Sequence, residues 1–134
     1  MRFPLLALAA AAILPTTAPA IAAPPAPEKV VTVVMAGRHF HPQVIRLTRG
    51  QHYRILLVNR DDTGHNFDSK GFFSHASIGP EGVGEQAVHE GLITVPAHDT
   101  VGFDVTPTSP GPYNLTSSVA LDAVSGMQGQ ILVY

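Results

Sequence analysis

Seven histidines and no cysteine in 134 residues set the terms of any chemistry this chain performs. Imidazole is a common protein ligand for zinc and oxidised copper, so the histidines point first to metal. The missing thiol excludes disulfides, thiolate metal sites, iron–sulfur clusters, cysteine nucleophiles and a lipid-anchored cysteine. In His39-Phe40-His41 the outer residues stand at i and i+2, so on an extended strand both imidazoles share one face. Such a pair chelates Cu(II) or Zn(II) when a third ligand joins it, and His52 is the candidate if a neighbouring strand brings it near. Without that ligand, His39 and His41 are two exposed histidines on an edge strand. His65 belongs to a different context, because Asn59 to Phe67 ends a strongly apolar strand and opens a loop that carries it. His75, His89 and His98 lie in irregular segments without ligand spacing. Ser117 and Ser118 have no nucleophile elbow, and no histidine–acid pair is placed by sequence to activate them. The carboxylates are scattered, so the residues describe no enzyme.

These side chains need a scaffold, and the chain supplies one domain's length for it. Charged residues make up 13% with a net charge of −2, which leaves no basic stripe for nucleic acid. Residues 1–23 read as an export signal. Arg2 leads an apolar run from Phe3 to Leu14, Pro15 ends it, and Ala20-Ile21-Ala22 offers an A-x-A cleavage pattern. The run falls short of the roughly 20 apolar residues a membrane span needs. Residues 24–28 form a stiff proline-rich tether, and residues 29–134 form the domain. The expected location is periplasmic or secreted. Short strands are predicted at Lys29–Met35, Val44–Leu47, Tyr53–Asn59, Leu92–Val95, Thr100–Thr106, Tyr113–Ser117 and Gln130–Tyr134. Thr48-Arg49-Gly50-Gln51 reads as a hairpin turn, and Tyr53–Asn59 as a central strand buried on both faces. Ser69–Ala76 reads as a short helix or helical turn. Alternation, together with their places in the chain's ordered pattern of motifs, nominates Ile55, Leu57, Phe67, Phe103, Val105, Leu115 and Ile131 for the core of an antiparallel sandwich.

Several motifs, taken in order, make the chain resemble the cupredoxins, the blue-copper family, and in particular small periplasmic cupredoxin-domain proteins. They are Phe40-His41-Pro42, Gly50 ahead of the Tyr53 strand, His65-Asn66-Phe67, Phe72-Phe73, Val95-Pro96-Ala97, Gly111-Pro112-Tyr113 and Gly126-Met127-Gln128-Gly129. The resemblance covers about 105 residues and implies an all-β, Greek-key β-sandwich with one short helix or helical turn. It also implies a metal-site pattern: a histidine on one loop, then a cysteine, a second histidine and a weak axial methionine near the last strands. His65 and Met127 fall on the first and last positions. The cysteine position is Ser117 and the second-histidine position is Asp122. A neutral serine hydroxyl cannot stand in for a thiolate, so the resemblance does not extend to blue-copper electron transfer.

Two readings of the remaining set follow. In one the site is vestigial and the protein is a non-redox binding module for a protein partner. In the other, His65, Asp122 and Met127, with Ser117 as a neutral oxygen donor, hold copper loosely in a colourless site of a copper-handling protein. Under both, the four residues converge within about 10 Å at one end of the sandwich, the span of a coordination sphere and its near neighbours. The expected protein is a monomer with no membrane span once the leader is removed.

Overall fold

The computed structural model describes residues 18–22, 28–79 and 83–134. Of the expected leader and tether, residues 1–17 and 23–27 lie outside these, and residues 18–22 are exposed and irregular. The fold is built on strand β4 (Tyr53–Asn59), whose alternate residues Tyr53, Ile55, Leu57 and Asn59 are buried. Arg54, Leu56 and Val58 on its other face are half-exposed, so β4 is sealed on one side only. That corrects the two-faced expectation: among the described residues no third layer covers the sheet's outer surface.

Strand β4 is the centre of a five-stranded sheet with β1 (Lys29–Ala36), β2 (His39–His41), β8 (Thr100–Pro107) and β6 (Ala76–Ile78), in the order β2-β1-β4-β8-β6. The second sheet runs β3-β10-β9-β5-β7, from β3 (Val44–Leu47), β10 (Gln128–Val133), β9 (Gly111–Thr116), β5 (His65–Asp68) and β7 (Leu92–Val95). Two pairings, β1 with β4 and β3 with β10, are parallel, so the sandwich is mixed rather than wholly antiparallel. The segment at 48–51 does turn, with Gln51 N–H on the Thr48 carbonyl and Gly50 at a φ of 77°. It is not a hairpin, however. It carries the chain from β3 in one sheet to β4 in the other, pinned by Arg49 N–H on Tyr134 and Gly50 N–H on Pro107.

All seven residues nominated for the core are fully buried. Phe67 sits at their centre, its ring in contact with Phe40, Phe73 and Phe103 from three other segments. Burying rings of this size supplies a large part of a small sandwich's stability. The expected helical turn is α1 (Lys70–Phe73). Two further short helices, α2 (Gly84–Glu90) and α3 (Ala120–Ser125), join it where one was expected. Each is under two turns long, too short to show a helical period in sequence. His65 likewise stands on strand β5, not in a loop, paired with Val95 of β7.

Candidate functional site at the loop end

Strands β1 and β4 run parallel and finish together, so the turn after Ala36 and the loop after Asn59 meet at one end. The β1–β2 connection is a two-residue turn with both Gly37 and Arg38 at a φ of 58°. A tight hairpin turn of this kind needs positive φ at both central residues, which Arg38 adopts at some cost. The turn's backbone N–H groups compensate. Gly37 N–H donates to Asp61 Oδ1 at 2.7 Å and Arg38 N–H to Asp61 Oδ2 at 2.9 Å. Asp61 is placed by buried Asn59, whose Oδ1 accepts the Asp61 N–H and whose amide donates to the carbonyls of Thr63, Val95 and Pro96.

His65 lies between two carboxylates. Its Nε2 is 2.8 Å from Asp61 Oδ2 and its Nδ1 is 2.6 Å from Asp122 Oδ2, and the ring is fully buried. Asp122 Oδ2 also accepts the Ser117 hydroxyl at 2.6 Å, and Ser117 Oγ in turn accepts the Asn66 N–H. Arg38 Nε stands 3.8 Å from Asp122 Oδ1. Helix α3 holds Asp122 in its first turn. Gly126, at a φ of 72°, closes the helix, so that Met127 N–H returns to the Asp122 carbonyl and the Met127 carbonyl accepts Ser117 N–H. The structure therefore joins His65, Ser117 and Asp122 through side chains and ties in Met127 through its backbone. The Met127 side chain is counted with the buried apolar core.

This donor set does not fit a blue-copper centre. Both imidazole nitrogens are engaged by carboxylates, and one atom, Asp122 Oδ2, occupies the point on which His65 Nδ1 and Ser117 Oγ converge. A carboxylate only accepts, so each ring nitrogen that faces an ionised one must carry a proton and has no lone pair for a metal. Ser117 donates to Asp122 and not to His65, so no serine–histidine pair is formed for nucleophilic chemistry. Among the described residues no buried side-chain nitrogen or oxygen lacks a hydrogen-bond partner.

Asp61 and Arg38 belong to this cluster, and the sequence reading passed over both. The only signal for them is Asn59, a side chain suited to ordering the loop at a strand end. His39 and His41 are exposed, with ring centroids 6.3 Å apart, and His39 Nδ1 donates to the Gly37 carbonyl. His52 does not join them. It precedes β4 and bonds through its carbonyl to Lys29 N–H, at the far end of β1 from Ala36 and its partner His39.

Burial tends to raise the Asp61 carboxyl, but the Arg38 and Gly37 N–H groups and His65 outweigh it and hold the group below its ordinary 3.8. Asp104 is held low first by the Arg54 guanidinium. A carboxylate with a depressed folded-state value adds stability above its unfolded value and loses it as protons bind. Thermal unfolding followed against pH should thus show stability falling from about pH 3.8 downward as the two groups protonate. In Asp61→Asn the fall should be shallower.

The geometry defines a two-sheet β-sandwich with a polar-filled loop end. The chain belongs to the cupredoxin-like domain family, whose model matches residues 4–133. Among solved structures it is similar to auracyanin B, with a TM-score of 0.58 at 16% identity over 84% of this chain and 93% of that one. Auracyanin A, described as a "blue" copper protein from the green thermophilic photosynthetic bacterium Chloroflexus aurantiacus, gives 0.58 at 16% identity, covering 81% and 100%. A mutant of amicyanin in the Cu(I) form gives 0.50 at 14% identity, covering 78% and 82%. No curated protein sequence matches the chain significantly. No helix among the described residues is long and apolar enough to cross a membrane.

Proposed function

We propose that this chain is an exported, non-redox binding module in which the family's copper position has become a structural polar cluster that braces a recognition surface. The observation that carries the reading is the double engagement of His65 by Asp61 and Asp122, with Ser117 where the family has its cysteine. The cluster links the 37–38 turn, the 59–65 loop and the 117–127 segment, and loops gathered at one end of a sandwich are the usual place for binding. Leu121 and Val124 on α3 present apolar side chains to solvent above it, 57% and 88% exposed. These offer a protein partner an apolar contact beside fixed polar groups.

Copper handling through His65, Asp122 and Met127 is the competing reading, and a Cu(II) titration separates the two. The binding-module reading expects no sub-micromolar site that depends on Met127 or His65. Met127→Leu conserves volume and removes only the thioether, so it tests the ligand without emptying the core. A tight site weakened both by Met127→Leu and by His65→Ala would establish copper handling instead.

A further inference from the structure

We propose a divalent-cation site at the opposite end of the sandwich, formed by Glu28, His52 and Asp104 and suited to Zn(II) or Cu(II). One ligand atom from each of the three residues can be chosen so that all lie within 4.8 Å of one another. Three adjacent strands produce this grouping. The parallel β1–β4 register sets Lys29 opposite Tyr53, which places Glu28 beside His52, and Lys29 N–H fastens the two starts by bonding the His52 carbonyl at 3.1 Å. The antiparallel β4–β8 register sets Arg54 opposite Asp104 and Tyr53 opposite Val105. Tyr53 and Val105 point into the core, so His52, Arg54, Asp104 and Thr106 share the outer face of the sheet. Asp104 is anchored within β8, and Glu28 and His52 each stand one residue before a paired strand.

The chemistry of the group favours a cation. Two carboxylates and one imidazole are the oxygen and nitrogen donors that Zn(II) and Cu(II) accept, with remaining positions open to water. His52 Nε2 is 3.8 Å from Glu28 Oε1, while its Nδ1 is 3.1 Å from Thr106 Oγ1. The Thr106 hydroxyl can accept the Nδ1 proton, and Nε2 stands beyond hydrogen-bond distance of Glu28 Oε1, which leaves its lone pair open to a cation held between them. That outer partner for the second ring nitrogen is a recurring feature of metal-bound histidine. Arg54 Nη1 holds Asp104 Oδ1 at 2.8 Å and orients the carboxylate. Glu28 comes within hydrogen-bonding reach of Asp104, so both carboxyl groups and the His52 ring border one small space that a cation can enter. Glu28 and His52 are each 43% exposed, so ions enter without opening the fold. The length of β4 separates this site from His65 by about 20 Å.

The test is a calorimetric Zn(II) titration of the protein, with amide NMR spectra recorded during sub-stoichiometric addition of Cu(II). One Zn(II) per chain should bind, and Cu(II) should first broaden Lys29, Tyr53 and Thr106. His52→Ala should weaken Zn(II) binding at least tenfold, and Thr106→Val by roughly tenfold, the effect typical of an outer partner. His39→Ala should leave it unchanged. Absence of Zn(II) binding would overturn the proposal. So would binding indifferent to His52→Ala, or first broadening at His39 and His41.

Discussion

Asp122→Ala is expected to destabilise the domain by about 3–5 kcal/mol, the usual range when one partner of a buried ionic pair is removed. Asp122 is 1% exposed and its Oδ2 serves two donors at once, His65 Nδ1 and the Ser117 hydroxyl. Truncation leaves both donors buried without an acceptor, and it leaves Arg38 facing an empty position. An internal control exists in Asp62, which makes the same kind of contact with His98 at 2.7 Å but is 95% exposed. Solvent screens that pair, so Asp62→Ala should leave the urea midpoint unchanged. If Asp122→Ala were equally silent in urea denaturation, the cluster would have no structural role.

The second large effect is a gain of colour. Ser117→Cys combined with Asp122→His removes the oxygen at the convergence point and supplies a thiolate and a second imidazole. With His65 Nδ1 released and Met127 close by along the chain, the donor types become those of a blue-copper centre. The double variant with Cu(II) should turn blue or green through thiolate-to-copper charge transfer. Ser117→Cys alone should colour weakly, because Asp122 still engages His65 and the thiolate meets copper with little imidazole support. The unsubstituted protein should show only the faint absorption of Cu(II) without sulfur. A folded, colourless double variant would mean that the 117–127 segment, with α3 inside it, no longer follows the family's path.

How much of this was legible in sequence differs between fold and site. Strands with clean alternation, such as Val101, Phe103 and Val105 in β8, announced both their type and their buried face. The ordered motifs gave the family and the positions of Ser117, Asp122 and Met127. Strand pairing was less accessible. The residues at 48–51 have turn chemistry, but whether the chain then pairs with its predecessor or crosses to the other sheet depends on β10, more than 75 positions away. The polar cluster was least accessible. Asp61 lies four residues before His65 and looks like a solvated loop acid. Its role arises only when Asn59 folds the loop back and the 37–38 turn aims two N–H groups at it. The burial of Asp122 was hidden for a similar reason: α3 is too short to show a period, yet its geometry turns the carboxylate inward.

The central claim is that His65 is a hydrogen-bonded brace and not a metal ligand. Long-range nitrogen–proton correlation spectra of the imidazole, recorded with and without Cu(II), test it directly. The account predicts that the His65 ring-nitrogen signals persist when sub-stoichiometric Cu(II) is added, since Asp61 and Asp122 engage both nitrogens. His65 ring signals that vanish at the first addition of Cu(II) would contradict it.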